Sequence, residues 1–116
     1  PRRLYMQTDK EYLFDILDAA RLALKYINNK TKEEFLQDVQ CQDAVIRRIE
    51  IIGEAARKVS KETKSALLLP WGDMVSMRNF MIHDYDDIDF TIVWETVSRD
   101  LPQLINTLEK VLETGE

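Results

Sequence analysis

Turn residues are scarce: the 116 residues include only three glycines and three prolines. An all-β fold needs such residues at roughly ten-residue intervals, so that class is excluded. The single cysteine, Cys41, cannot close an intramolecular disulfide, and nothing demands an oxidising compartment. Long apolar runs are also missing. The longest, Ala66-Leu67-Leu68-Leu69, stops at Pro70, far short of the roughly 18 residues of a membrane span. Arg2-Arg3 precedes only Leu4-Tyr5-Met6 before polar residues resume. No signal peptide is expected, and the sequence predicts a cytoplasmic protein with no membrane partner. Positive charge is in deficit, with 16 Lys and Arg against 21 Asp and Glu and a net charge of −5. That balance excludes a sequence-blind polycationic coat for duplex DNA or acidic membranes, though not a local basic site.

What is present is aliphatic. Leu, Ile, Val and Phe together make up 34 of the 116 residues, well above the level of about one-fifth below which chains stay disordered. The length fits one domain, residues 1–116, with no room for a second. Composition therefore predicts a soluble all-α protein.

The apolar spacing supports this class. Thr8-x-x-Glu11 reads as a capping box opening a helix, with Leu13, Ile16, Leu17, Ala20, Leu24 and Ile27 on one face. Asn28-Asn29 is suited to end it. A second capping box, Thr31-x-x-Glu34, opens a short amphipathic helix carrying Phe35, Leu36 and Val39, and Asp38 is placed to cap the next helix. From about residue 40 to 60, Val45, Ile49, Ile52, Ala56 and Val59 form a near-heptad stripe. Gly53 lies inside it, which suggests close approach of a neighbour. Residues 61–69 are the least regular stretch. Pro70-Trp71 then starts another helix, residues 84–87 read as a loop, and Asp89 caps the last helix. There Ile92, Val93, Val97, Leu101, Leu104, Leu108 and Val111 carry the stripe, and Pro102 should kink it. The expected architecture is a bundle of four main helices with one short extra helix.

Most catalytic signatures are absent. There is no glycine-rich phosphate loop, and one Cys with one His cannot build the usual zinc site. A diiron bundle needs two Glu-x-x-His motifs, and no Gly-x-Ser-x-Gly turn accompanies the only histidine. No metal or cofactor is expected. A dense polar cluster remains, Arg78-Asn79-Phe80-Met81-Ile82-His83-Asp84-Tyr85. On a helix Asn79 and His83 share a face, while Arg78 and His83 diverge by about 140°. A shared substrate then needs the long Arg78 stem to wrap, the helix to end near His83, or a second copy of the motif. Arginine suits bidentate phosphate binding and histidine moves protons near neutral pH. The pair could cleave RNA through its own 2′-hydroxyl without a metal. On spacing alone, the commoner role of such a pair is capping or ion pairing, with Asp84, Asp86, Asp87 and Asp89 at hand. The same carboxylates favour protonated His83.

The motif R-x-x-x-x-H-x-Y, from Arg78 to Tyr85, resembles the signature of the HepT-like branch of the HEPN superfamily. Ile51-Ile52-Gly53-Glu54-Ala55-Ala56, Pro70-Trp71, Met77-Arg78-Asn79, Asp84-Tyr85, Ile88-Asp89 and Val93-Trp94 are similar to the family's blocks, in its order. The likeness runs from about Asp15 to Leu104. It implies an α-helical bundle that forms a homodimer and acts as a metal-independent ribonuclease, the toxin of a toxin–antitoxin pair. The implied partner is a minimal nucleotidyltransferase antitoxin that transfers AMP to the motif tyrosine, in a complex that can be a larger hetero-oligomer. By this resemblance Arg78 and His83 are the catalytic pair, Asn79 their polar support and Tyr85 the modified residue. The role of Gly53-Glu54 is left open. Asp84, Asp86 and Asp87 make the loop more acidic than an RNA-gripping segment should be. A non-catalytic bundle that binds a nucleotide or the nucleotidyltransferase is the alternative, and a purely structural dimer a third.

Overall fold

The computed structural model describes residues 2–76 and 87–113. Helix α1 spans Arg2–Ile27, α2 Lys32–Leu36, α3 Val39–Lys58 and α4 Lys61–Ala66. Residues 71–76 form α5. The last helical column consists of α6 (Phe90–Glu95), a π-helical turn (Thr96–Asp100) and α7 (Leu101–Glu113). Among the described residues there is no strand. The fold is all-α.

Local chemistry sets most boundaries. Thr31 and Glu34 form the expected capping box: the Thr31 hydroxyl accepts from the Glu34 N–H at 3.1 Å, and the Glu34 carboxylate accepts from the Thr31 N–H at 2.8 Å. Asp38 caps α3 by accepting from the Cys41 N–H at 3.0 Å. Asn29, at φ 66°, turns the chain after α1 in the left-handed conformation that asparagine tolerates. Asp89 caps α6 by accepting from the Thr91 N–H at 2.9 Å.

Two expectations fail at the N-terminal side. Helix α1 does not open at Thr8; it begins at Arg2 and runs through that position. No glycine or proline lies between Arg2 and Thr8, and Arg, Leu, Met and Gln are good helix formers, so nothing stops propagation there. The second failure concerns α2. Only Phe35 is buried, while Leu36 and Val39 are exposed. Five residues present one narrow apolar face, and Phe35 fills it by packing against Trp94 (ring centroids 5.5 Å apart) and edge-on to Phe90 (6.4 Å).

The irregular stretch after residue 60 contains α4. Ser60 is its N-cap, and the only fully buried residue in it is Thr63, so no apolar stripe announces it. Asp9 of α1, 3% exposed, accepts hydrogen bonds from the Ser60 N–H at 3.1 Å and from the Ser60 and Thr63 hydroxyls. A buried carboxylate is tolerated only when so satisfied. Burial pushes the Asp9 carboxyl upward, but the Ser60 and Thr63 hydrogen bonds outweigh it and hold it below the ordinary aspartate value.

The core lies where α1 packs along α3 and against α7. Leu13, Ile16, Ala20 and Ala23 of α1 meet the expected stripe of Val45, Ile49, Ile52 and Ala56 on α3, all buried. Gly53 is buried beside that stripe. On the surface, Arg21 of α1 and Glu109 of α7 pair at 2.6 Å, an exposed contact worth little. The last column is interrupted where Pro102 predicts. Proline has no N–H for the Ser98 carbonyl and crowds the preceding turn. The chain answers with a π turn in which the Leu101 N–H reaches the Thr96 carbonyl. The Ser98 hydroxyl bonds the Trp94 carbonyl at 2.8 Å, a local contact that also bends helices.

Candidate functional site

Arg78, Asn79, His83 and Tyr85 all fall within residues 77–86, outside the described residues, as do Asp84 and Asp86. The structure does show how the chain on either side of this segment is held. On the incoming side, residues 67–70 form an extended strap between α4 and α5. The Leu69 N–H bonds the Leu67 carbonyl at 3.0 Å, and the Trp71 N–H bonds the Leu69 carbonyl at 2.8 Å. The Trp71 indole donates to the Leu67 carbonyl at 3.2 Å, and the Lys64 ammonium sits 6.0 Å from the centre of its ring. Pro70 occupies the start of α5 as expected, and its carbonyl accepts from the Met74 N–H at 3.0 Å. Met74 then anchors α5 in the core. On the outgoing side, Ile88 packs against the core, Asp89 caps α6, and Phe90, Val93 and Trp94 are tied to the main hydrophobic cluster.

Between these two anchors lies an open groove of about 690 Å³. Ile49 and Ile52 of α3 and Leu104 of α7 form its apolar floor, with Leu68 and Ile92 on its walls. Ser76 and Ile88, on either side of residues 77–86 in sequence, both line it. So do Thr96 and Asp100, at the two ends of the π turn, a feature often found at functional sites. Ile92 was expected on the core stripe, but it is 52% exposed. Its neighbour Val93 takes the core position, and consecutive residues on a helix cannot face the same way.

The polar lining is acidic. Asp73, Asp89 and Asp100 are carboxylates, Gln103 and Thr107 are neutral, and among the described lining residues there is no Lys, Arg or His. Sequence reading found Asp89 as a cap but missed Asp73 and Asp100, which belong to separate elements and share no motif. Glu54, in the block of undetermined role, pairs with Arg57 at 3.3 Å on the surface of α3. Among the described residues no three His, Cys, Asp or Glu side chains come together to hold a metal ion. Cys41 is buried, and its thiol donates to the Tyr26 carbonyl at 3.5 Å. Burial pushes this thiol above its ordinary value, and the Asp38 carboxylate adds to the effect. It is a core residue rather than a nucleophile.

Comparison with known proteins adds what geometry alone does not. The model of the family described as Ribonuclease HepT-like matches residues 16–111, a span that contains the whole Arg78–Tyr85 motif. The chain is 38% identical over 106 residues to "Probable ribonuclease HepT" of Thermococcus cleftensis, covering 90% of this chain and 96% of that one. It is 35% identical over 103 residues to "Putative RNase MJ1380" of Methanocaldococcus jannaschii, covering 88% and 94%. A third relative, "Gamma-glutamylcyclotransferase and putative RNase MJ0434" of the same organism, is 38% identical over 105 residues. That match covers 90% of this chain but only 47% of the relative, so the chain spans about half of that protein. No solved structure matches the chain significantly.

Proposed function

The chain belongs to the ribonuclease HepT-like family, and from that premise we propose that it is a metal-independent endoribonuclease, the toxin of a toxin–antitoxin pair. The observation that carries this reading is the family match across residues 16–111, which takes in Arg78 and His83 together with the blocks around them.

In the proposed reaction the Arg78 guanidinium grips the scissile phosphate with its planar fork of donors. The 2′-oxygen of the preceding ribose attacks phosphorus and the bond to the 5′-oxygen breaks. The proton lost from the 2′-hydroxyl and the proton gained by the 5′-oxygen are moved by His83 acting as acid or base. The products are a 2′,3′-cyclic phosphate and a 5′-hydroxyl. Asn79 supports the pair. The attacking group belongs to the substrate, so no metal-bound water is required.

A homodimer follows from the diverging directions of Arg78 and His83. A two-fold axis near the motif gives one cleft two guanidiniums and two imidazoles. The partner in this reading is a minimal nucleotidyltransferase, which neutralises the enzyme by placing AMP on Tyr85. The added phosphodiester lies seven residues from Arg78 in the chain and would occupy the clamp meant for RNA.

The test is incubation of single-stranded RNA with the chain in EDTA. Cleavage with cyclic-phosphate ends, abolished by 2′-deoxy substitution at the cut site, is the expected outcome. Binding of RNA or nucleotide without any cleavage would favour the non-catalytic alternative instead, and a strict metal requirement would contradict the scheme.

A further inference from the structure

The acidic groove is not explained by RNA cleavage. Two large apolar side chains on its edge are left in water, Leu68 on the strap at 97% exposure and Ile92 on α6. Its rim carries Asp73, Asp89 and Asp100, with no cation among the described lining residues. A phosphate backbone is repelled here by the rim and by the net charge of −5. Apolar walls with an anionic rim complement a ligand that is apolar and cationic.

The shape narrows the choice. Along the last helical column the lining runs from Ile92 to Thr107, roughly 22 Å at the helical rise of 1.5 Å per residue. This is the length of a helix of about fifteen residues. With no strand among the described residues, there is no sheet edge for an extended peptide to join, which leaves helix-in-groove docking. We infer that this groove receives an amphipathic helix of a partner protein, apolar on one face and flanked by Lys or Arg. Leu68 and Ile92 cover its apolar face, and Asp73, Asp89 and Asp100 meet its cations. Ser76 and Ile88 line the same groove, so a docked helix touches the chain on both sides of the motif segment. Control of cleavage by such a helix rests on the function proposed above; docking itself does not.

Titration of the full chain, followed by calorimetry and by amide NMR, tests the docking. The probe is a synthetic amphipathic Leu/Lys peptide of about fifteen residues, with a Leu/Glu peptide of the same pattern as control. The Lys peptide should bind and shift the resonances of Leu68, Asp73, Ile92 and Asp100, and the Glu peptide should bind at least about tenfold more weakly. Ile92→Glu and Asp100→Lys should each weaken the Lys peptide about tenfold or more. Asp18→Lys, on the exposed face of α1, should leave it unchanged. An equal loss in Asp18→Lys would reduce the effect to general charge attraction and overturn the proposal. Shifts confined to another surface would overturn it too. It also fails if a short single-stranded RNA shifts the groove resonances, or if they move on dilution of the free chain, which would assign the groove to nucleic acid or to a second copy. None of these readings requires the chain to cleave RNA.

Discussion

Asp9 accepts hydrogen bonds from both the backbone N–H and the hydroxyl of Ser60, a residue 51 positions further along the chain. The carboxylate therefore takes the place of a solvent cap at the start of α4 and ties that helix to α1. From α4 the chain passes directly into the strap and α5, so this contact sets where the incoming side of the motif segment begins. Its pH dependence has a definite sign. The folded-state value is depressed below the ordinary 3.8, so the contribution to stability is complete above that value and is lost as pH falls through the depressed one. Asp9→Asn should lower unfolding stability at neutral pH by about 1–3 kcal/mol, because donors are left facing an amide. The difference between wild type and variant should shrink below about pH 4. Urea melts of both proteins at a series of pH values check this; a difference that is constant with pH would contradict it.

Phe35 is the only buried residue of α2 and is held between Phe90 and Trp94. Phe35→Ala should cost about 3–5 kcal/mol, through lost transfer energy and the cavity left behind. Phe35→Leu should cost clearly less. Thermal melts will rank the two, and equal losses would mean that the aromatic contact with α6 is unimportant.

Cys41 should be inert in the folded protein. Its thiol is buried, hydrogen-bonded and pushed upward in pKa, which keeps the reactive thiolate scarce near neutral pH. A thiol reagent at pH 7–8 should modify it only as fast as the chain unfolds and rapidly in denaturant. Immediate modification of the native protein would refute the burial.

How far the sequence could be read depended on the range of the interaction. Caps act over two or three residues, so Thr31 with Glu34, Asp38, Asn29 and Asp89 were all legible. Pro102 was legible for the same reason, since its missing N–H disturbs only its own turn. Thr8-x-x-Glu11 misled because its local pattern was sound, but no helix breaker precedes it and the helix simply continues. The Asp9–Ser60–Thr63 cluster left no periodic trace, and α4 went unseen because its one buried side chain is a threonine. The groove was invisible for a related reason: Asp73, Asp89 and Asp100 converge only after three elements have packed. Arg78 and His83 were legible as a chemical pair, but their spacing alone did not separate catalysis from capping; the ordered blocks around them did.

Tyr85 is predicted to be the point of control. With a minimal nucleotidyltransferase, ATP and magnesium, its phenol oxygen should attack the α-phosphate, release pyrophosphate and retain AMP. Mass spectrometry should find the adduct on Tyr85 together with loss of nuclease activity. Tyr85→Phe should cleave RNA and resist this inactivation. If it were inactivated as readily as wild type, Tyr85 would not be the acceptor.

The most direct measurement is RNA cleavage in EDTA by wild type and His83→Ala at equal, folded concentration. His83 is the only histidine in the chain, so no other imidazole can substitute for it. General acid–base catalysis contributes about 10²–10⁴-fold, and the variant should lose activity on that scale while the wild type leaves cyclic-phosphate ends. Full cleavage by His83→Ala would contradict proton transfer by His83.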